Sequence, residues 1–358
     1  MLIRTPVSSG NKVTAVVEST RGSLEVWYRS TTPICPTPED AFLIAFLVPA
    51  MRKEEFLRSE APVSPKLLSN LDQAQQMLHG WSESGWPGVT NRQRLRTVRI
   101  EAEPRSAFEP RADATAAFFT AGVDSFYTAL RHIDEIDALV YVHGFDVMRE
   151  QAEELQAASE FVESAAGALG KPLVKVVTNL HDVTPGFVSW GPVHGAALGS
   201  VASVLAGTYG RMYVPSSMTI GDAGTPWGSH PHLDPLWSTE DVEIVYDADD
   251  NDRYEKLRFI AGNPAARAHL RVCLESPSGG GNCGCCEKCL RTMVNLHIAG
   301  ELESFSSFPA LASENLKFHY PPRIPLVTWR PIWAKLLKRL EQTGRDPALQ
   351  DAIRSLLG

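Results

Sequence analysis

From residue 112 onward, short runs of apolar residues alternate with longer segments in which apolar positions recur at helical spacing. The apolar runs predict strands over 115–120, 138–143, 173–177 and 211–215, with a weaker strand over 242–246. Helical spacing predicts helices over 124–133, 150–169 and 192–206. Because the strand runs are almost continuously apolar, both faces of their sheet should be covered. The pattern predicts an α/β fold with a doubly wound parallel sheet, which binds ligands at the carboxyl ends of its strands.

The first 110 residues follow a different pattern. Alternation and helical spacing there predict, in chain order, strands over 13–18 and 23–28, helices over 38–51 and 64–81, and a strand over 95–102. The first two strands flank Arg21-Gly22, which is typical of a hairpin. The second helix follows Ser64-Pro65, a hydroxyl cap before a proline at the first helical position.

These patterns predict three parts in the chain. An α+β domain, 1–110, precedes a central domain, 111–300, and a helical packing segment, 301–358, closes the sequence. No catalytic constellation is visible in the first part. The sequence leaves three roles open for it: covering the active site, binding a protein partner, or forming a homodimer.

Charge and length exclude some classes of partner. The chain has 358 residues, a formal net charge of −8 and a pI of about 5.7. An acidic chain has no overall field that attracts nucleic acid, so a small-molecule substrate is favoured. The arginines at 92, 94, 96 and 99 are interpreted as a solvated surface. The start lacks a signal-peptide pattern and no apolar run reaches about 18–20 residues, so a cytoplasmic protein without membrane contact is expected.

The segment 116–129 carries the clearest chemical signal. An apolar strand meets a turn of small residues, followed by an acid, a hydroxyl and a helical segment. Such a turn directs backbone N–H groups at one point near the positive end of the helix dipole, where a phosphate binds. It is not a Walker loop, because no Gly-Lys-Ser/Thr follows at the required spacing. The expected nucleotide-binding residues are Thr120, Ala121, Gly122, Val123, Asp124 and Ser125.

Three positions of this turn have expected roles. Ser125 can donate to phosphate oxygens, and Asp124 can hold Mg²⁺ or position a polar group. Ala121 places a methyl group where glycine would be favoured, because a backbone φ above zero is costly for alanine.

Loops after other strands supply further candidates. His143 and Gly144, after the second strand, are expected to contact adenine or ribose, and Ser217 and Asp222 follow the fourth strand. The fourth strand should lie beside the first in a doubly wound sheet. The loop 227–238 contains two histidines and an aspartate that form a weak metal or acid–base pattern. Further contacts with the substrate or its phosphates remain open for His194, His230, Asp234 and Lys256.

Five of the six cysteines lie between Cys273 and Cys289. This crowding does not suit a disulfide framework and indicates a metal in a reducing compartment. Four thiolates can surround Zn²⁺ as a tetrahedron, and short C-x2-C spacing supplies adjacent ligands. The expected zinc ligands are Cys273, Cys283, Cys286 and Cys289. An iron–sulfur cluster and a redox-active dithiol are the alternatives, and Cys285 could replace Cys286, stay free or carry reactive sulfur.

The segment 120–125 resembles the Ser-Gly-Gly-x-Asp-Ser loop of ATP pyrophosphatases, with Thr120 in place of serine and Ala121 in place of the first glycine. Together with the later C-x9-C-x2-C-x2-C-x-Arg pattern, it resembles 7-cyano-7-deazaguanine synthase and its relatives over residues 115–300. The resemblance implies an adenine nucleotide alpha-hydrolase-like fold. It places ATP phosphates at Thr120, Gly122, Asp124 and Ser125, and zinc at the four cysteines.

The resemblance also implies a reaction. ATP adenylates a carboxylate or carbonyl with release of pyrophosphate, and ammonia or another nucleophile then attacks the activated carbon. In those synthases the product is an amide and then a nitrile. We therefore expect an ATP-dependent ligase that forms C–N bonds, with Asp124, Ser125 and Asp222 as its catalytic residues. The alternatives are a sulfurtransferase that carries persulfide on Cys285 or Cys35, and a non-catalytic nucleotide-binding protein in which Ala121 has disabled the loop.

Overall fold

The computed structural model of this mixed α/β protein describes residues 1–86, 94–108, 110–145, 152–273, 275, 281–312, 316–319 and 326–358. The chain folds into two compact units, each assembled from separate stretches of sequence. The first, here called the sheet unit, comprises Met1–Phe118, His132–Phe145 and Pro172–Asp250. The second, here called the helical unit, comprises Phe119–Arg131, Asp146–Lys171 and Asn251–Gly358.

Eleven strands are found among the described residues, and all belong to the sheet unit. In chain order they are β1 (Leu2–Ile3), β2 (Val7–Ser9), β3 (Lys12–Ser19), β4 (Gly22–Ser30), β5 (Leu57–Ser59), β6 (Ile100–Glu101), β7 (Thr115–Phe118), β8 (Ala138–His143), β9 (Leu173–Thr178), β10 (Arg211–Pro215) and β11 (Glu243–Asp247).

The helices of the described chain divide between the two units. Those of the sheet unit are α1 (Glu39–Lys53), α2 (Pro65–Ser84), α5 (Leu180–Val183) and α6 (Trp190–Val204). Those of the helical unit are α3 (Val123–Arg131), α4 (Ala152–Ala168), α7 (Arg253–Ile260), α8 (Pro264–His269), α9 (Glu287–Ala299), α10 (Leu326–Thr343) and α11 (Pro347–Leu357). The first residues of the helix expected over 150–169 lie outside the described residues.

The strands form one large, mostly parallel sheet in the order β11-β10-β7-β8-β9-β4-β3-β1-β5-β6, with β2 paired to β3. From β11 to β9 all neighbours are parallel. Strand β10 lies directly beside β7, with Met212 opposite Ala116. The expectation that the fourth strand would neighbour the first is confirmed.

The strands of residues 1–110 continue this same sheet. Strand β4 pairs antiparallel with β9, and Tyr28 lies opposite Thr178. The compact units also cross the boundaries expected at residues 110 and 300. The strand expected over 95–102 shortens to Ile100–Glu101, at the edge of the sheet. The pairing of β4 with β9 joins main-chain groups of distant strands, so no local side-chain pattern in the sequence indicates it.

Apolar burial explains the principal helices of the sheet unit. All residues of α1 from Asp40 to Met51 are buried, and a helix is found where the sequence predicts one over 38–51. Helix α2 begins as the sequence predicts, because the Ser64 hydroxyl accepts from the Leu67 amide at 2.8 Å and Pro65 needs no acceptor. None of the described helices is long and apolar enough to span a membrane.

The helical unit has a core of its own. Leu290 and Val294 of α9 pack in one cluster with Trp333 and Leu340 of α10 and with Ile353 of α11. The C-terminal helices α10 and α11 therefore pack against α9 in this core. This core fixes α9, which carries functional candidates at its first turns.

Candidate functional site

The predicted site residues divide between the two units, and each unit is described by itself. The six residues of the expected phosphate loop, Thr120 to Ser125, lie in the helical unit together with the four expected metal ligands. His143, Gly144, Ser217 and Asp222 lie in the sheet unit.

The phosphate loop is a tight turn that ends at the start of α3. Strand β7 ends at Phe118 and α3 begins at Val123, so only four residues connect them. Ala121 is fully buried and has a φ of +57°. Alanine thus adopts the left-handed conformation that glycine adopts without strain. The methyl group of Ala121 does not prevent the turn from forming.

Gly122 and Ser125 shape the inside of this turn. A side chain at Gly122 would place its Cβ 3.3 Å from the Thr120 hydroxyl oxygen, so the position has little spare room. The Ser125 hydroxyl accepts from the amides of Gly122 at 3.0 Å and Thr120 at 3.3 Å, and it lies 3.1 Å from the Gly122 carbonyl oxygen. Ser125 therefore organises the loop from within. The first amides of α3 have no acceptor inside the helix, which makes them available to an anion.

Asp124, on the first turn of α3, faces cations from α7. Its carboxylate lies 3.3 Å from Lys256 Nζ and 3.7 Å from Arg253 Nη1. The Lys256 side chain is only 4% exposed, whereas that of Asp124 is 27% exposed. Arg253 also donates to the Thr292 hydroxyl of α9 at 3.4 Å.

A third cation, Arg291, stands on α9. Burial and repulsion from Arg253 lower its pKa to about 10, while Glu287 and Asp124 act in the opposite direction. Arg291 forms an ion pair with Glu287 at 3.3 Å, and the Trp333 indole donates to the same Glu287 carboxylate at 3.1 Å. The N-terminal halves of α7 and α9 thus carry three cationic side chains whose charges interact with that of Asp124.

The cysteines form a compact cluster at the start of α9. The sulfur atoms of Cys273, Cys283, Cys286 and Cys289 all lie within 4.8 Å of one another. The Cys283 and Cys289 sulfurs are 3.8 Å apart. Hydrogen bonds from the thiols of Cys286 and Cys289 hold the pKa of Cys273 well below its ordinary value. Four sulfurs at this spacing can hold a metal ion, and the predicted set of four cysteines is confirmed as a cluster.

Backbone amides and one glycine complete this knuckle, defined here as residues 282–289. The Cys283 sulfur accepts from the amides of Cys285 at 3.5 Å and Cys286 at 3.3 Å. Gly284 has a φ of +71°, and a Cβ there would lie 2.3 Å from Pro309 Cγ. Cys285 is not among the four clustered sulfurs, and its carbonyl oxygen accepts from the His319 amide at 3.0 Å.

Asn282 joins the two segments that supply the sulfurs. Its side-chain oxygen accepts from the amides of Val272 at 2.8 Å and Cys273 at 3.2 Å. Its side-chain nitrogen donates to the carbonyl oxygens of Leu270 at 2.7 Å and Ser307 at 3.0 Å. Asn282 therefore anchors the distant ligand, Cys273, against the knuckle.

The main chain of Arg271–Cys273, here called the strap, contacts both turns. The Arg271 amide donates to the Ala121 carbonyl oxygen at 2.8 Å. Two residues later, Cys273 contributes its sulfur to the cluster. A single short piece of backbone thus fixes the position of the phosphate loop relative to the cysteines within the helical unit.

The sheet-unit candidates have varied environments. Burial, aided by the nearby charge of Lys175, lowers the pKa of His143 to about 4, so its ring is neutral near pH 7. Gly144 follows with a φ of +90°. Ser217 is exposed. The Asp222 carboxylate is exposed and accepts from the Thr219 hydroxyl at 2.8 Å, forming a local cap.

The loop 227–238 uses its polar residues internally. Asp234 is fully buried and accepts from the Ser229 hydroxyl at 2.5 Å, and burial raises its pKa to about 7. His230 Nδ1 accepts from the His232 amide at 3.1 Å, while its Nε2 lies 2.9 Å from the Ala223 carbonyl oxygen. His194 Nδ1 lies 2.7 Å from the Gly191 carbonyl oxygen of its own helix. These contacts stabilise the loop and helix.

Sequence reasoning missed several residues of the helical-unit site. Arg253 lies three positions before Lys256 and therefore on the same face of α7, which is a signal the sequence did contain. Asn282 directly precedes the first cysteine of the knuckle, but its partners are distant backbone groups that no motif reveals.

Comparison with protein-family models and with curated proteins finds no match to this chain. The geometry of the site and the motif resemblance are therefore the basis for a functional assignment.

Proposed function

We propose that the phosphate loop binds the triphosphate of ATP and that the protein is an adenylating ligase that forms C–N bonds. One observation carries this proposal: a strand-to-helix turn with the Thr-Ala-Gly-Val-Asp-Ser sequence has the cations Lys256 and Arg253 at its acidic residue. Helix amides and cationic side chains that are directed at one point favour the binding of a polyphosphate. The resemblance to ATP pyrophosphatases supplies the identity of the nucleotide.

Strand order supports a doubly wound, adenine nucleotide alpha-hydrolase-like sheet. Counting the parallel strands from β7, their order is third, second, first, fourth, fifth. This order matches five strands of the nucleotide-binding doubly wound order 3-2-1-4-5-6, in which ligands bind where the order reverses. That point lies between β7 and β10, and β7 runs directly into the phosphate loop.

The proposed reaction has two steps. A carboxylate oxygen of the small-molecule substrate attacks the α-phosphorus, and the bond to the oxygen that bridges to the β-phosphate breaks. Pyrophosphate leaves with the electron pair. Ammonia then attacks the carboxyl carbon, loses a proton, and expels AMP to give an amide.

The chain's own residues contribute positioning and charge in this scheme. The loop amides and the Lys256 and Arg253 side chains would stabilise the negative charge that develops on the departing pyrophosphate. Gly122 lets the phosphates approach the main chain, and Ser125 holds the loop amides in place. Asp124, a partly exposed carboxylate beside the phosphates, would hold Mg²⁺, which offsets phosphate charge when bound. Asp222 and Ser217 remain proposed substrate contacts.

We further propose that the cysteine cluster holds zinc. A tetrahedron with Zn–S bonds of about 2.3 Å places its sulfurs about 3.8 Å apart. The Cys283–Cys289 distance is 3.8 Å. Four protein ligands leave no open position, so this metal would stabilise the fold and take no part in the reaction. Reduced thiolates of this kind suit a cytoplasmic protein.

The decisive experiment measures AMP and pyrophosphate from α-labelled ATP, with and without ammonium, across a panel of carboxylic acids. Lys256→Met should reduce AMP formation, whereas Lys338→Met, an exposed lysine of α10, should not. Appearance of AMP with no amide or other nitrogen-containing product would reject the ligase assignment.

A sulfurtransferase is the second candidate, favoured by one observation. Cys285 stands outside the cluster of four sulfurs and is only partly buried. This function predicts that Cys285→Ser abolishes turnover while the metal content is unchanged. The other candidate carrier, Cys35, is only 4% exposed, which limits the access of a sulfur donor to its thiol.

A further inference from the structure

Asp124 stands where an anionic ligand of the loop would stand. It belongs to the first turn of α3, where the helix dipole stabilises negative charge. The same carboxylate contacts Lys256 at 3.3 Å and Arg253 at 3.7 Å. The Asp124 carboxylate therefore makes the two interactions that would hold a phosphate, one with the helix dipole and one with the cations.

The cations are held in place by contacts that do not involve Asp124. Asp252 caps α7 by accepting from the Tyr254 amide at 2.9 Å, and Arg339 of α10 donates to Asp252 at 2.7 Å. Arg253 is tied to α9 through Thr292. The Lys256 ammonium lies 5.4 Å from the centre of the Tyr127 ring, and its side chain is almost completely buried.

A second observation indicates a missing oxygen ligand. Arg253 Nε is buried and has no hydrogen-bond acceptor among the described residues. Buried donors in native proteins are rarely left without an acceptor, so such a nitrogen marks a place where an oxygen from water or an anion belongs.

We propose that Asp124 is the internal counter-ion of a diphosphate site formed by the loop amides, Lys256 and Arg253. An incoming pyrophosphate group displaces the carboxylate from the two cations. This inference rests on the proposed function, and it deepens that function by giving Asp124 a role before the nucleotide binds.

The counter-ion has a consequence for affinity. An anion must displace the carboxylate from the two cations before it can bind them. The free-energy cost of this displacement is the same for orthophosphate and for pyrophosphate. Removal of the carboxylate should therefore strengthen the binding of both anions.

The test is calorimetric titration of the metal-loaded protein with inorganic pyrophosphate and with orthophosphate, in buffer without added divalent cations. Asp124→Asn should bind pyrophosphate about tenfold more tightly than the wild type, since one like-charged group at this distance is removed. Orthophosphate should also bind more tightly to this variant. Asp351→Asn makes the same charge change at an exposed position of α11 and should leave both affinities unchanged.

Lys256→Met tests the cation side of the proposal and should weaken pyrophosphate binding about tenfold, with Lys338→Met as its control. Asp124→Ser, which removes the charge and leaves a different polar side chain, guards against a folding defect specific to the asparagine variant. If both Asp124 variants bind pyrophosphate no more tightly than the wild type does, the counter-ion proposal is wrong.

ATP titration of the same preparations separates the two proposals. ATP binding by the wild type, with no gain in pyrophosphate affinity at Asp124→Asn, removes the counter-ion and leaves the proposed function in place. The expected pyrophosphate pattern without any ATP binding supports the diphosphate site and removes the adenylating ligase.

Discussion

Two tight turns of the helical unit solve the same backbone problem with different residues. The metal knuckle places Gly284 in the left-handed region at a φ of +71°, and the phosphate loop places Ala121 there at +57°. Glycine adopts this conformation without a steric cost, whereas alanine loses about 1–2 kcal/mol.

The turn of the knuckle is therefore free of this strain, whereas the phosphate loop retains backbone strain at Ala121. At Gly284 the absence of a side chain also lets Pro309 pack closely. Glycine is therefore required both for its left-handed φ and for this close packing. At Ala121 the surrounding contacts impose a conformation that the residue itself disfavours. Strained backbone of this kind concentrates at binding and catalytic sites, which agrees with the role proposed for the loop.

The largest effect is expected at Gly284. Gly284→Ala would combine a left-handed alanine with a clash against Pro309, and should destabilise the protein by about 3 kcal/mol or more. Thermal unfolding and the bound-metal content measure the loss. Gly344 has a φ of +64° with no atom within 4 Å of its added Cβ, so Gly344→Ala isolates the strain alone. Equal losses in the two variants would show that Pro309 does not constrain the knuckle.

The polar anchor of the knuckle should matter next. Asn282→Ala leaves the amides of Val272 and Cys273 without their acceptor, so Cys273 should be less well positioned as a ligand. Metal affinity should fall about 10–100-fold, as measured by competition with a chromophoric chelator. Asn70→Ala, at an asparagine that donates to Ser238 in the sheet unit, serves as the control. An unchanged affinity would show that Asn282 does not position the ligand.

Ser125 is the corresponding polar anchor of the phosphate loop. Ser125→Ala removes the acceptor of the Thr120 and Gly122 amides and should cost about 1–2 kcal/mol of stability. Chemical denaturation measures this cost, and the metal content should not change. Ser84→Ala removes a hydroxyl that only donates to a helix carbonyl, and should have little effect. A loss of metal in Ser125→Ala would mean that the two anchors are not independent.

The smallest effect has the opposite sign. Ala121→Gly relieves the left-handed strain and should stabilise the protein by about 1 kcal/mol, visible as a higher unfolding temperature. Ala334→Gly, at an exposed position of α10, should destabilise by about the same amount. Destabilisation by Ala121→Gly would show that the alanine is unstrained, and would remove the contrast between the two turns.

The sequence and the structure agree best where the signal is local. The clustering of Cys283, Cys286 and Cys289, the position of α3 and the cap at Ser64 each follow from residues within a few positions of one another. The neighbouring positions of β7 and β10 follow from a general rule about parallel sheets.

Contacts between distant segments could not be predicted from the local sequence. The pairing of β4 with β9 joins strand edges about 150 residues apart, as the Tyr28–Thr178 partners show. The bonds of Asn282 reach backbone groups on two other segments. The left-handed φ of Ala121 could not be predicted either, because alanine disfavours that conformation and only the folded surroundings impose it.

The strap connects the phosphate loop to the knuckle. Because Arg271 bonds to Ala121 and Cys273 belongs to the sulfur cluster, one three-residue segment borders both. Oxidation or chelation that opened the cysteine cluster would free this segment and one edge of the phosphate loop. Under the proposed function, ATP binding would therefore depend on an intact cysteine cluster.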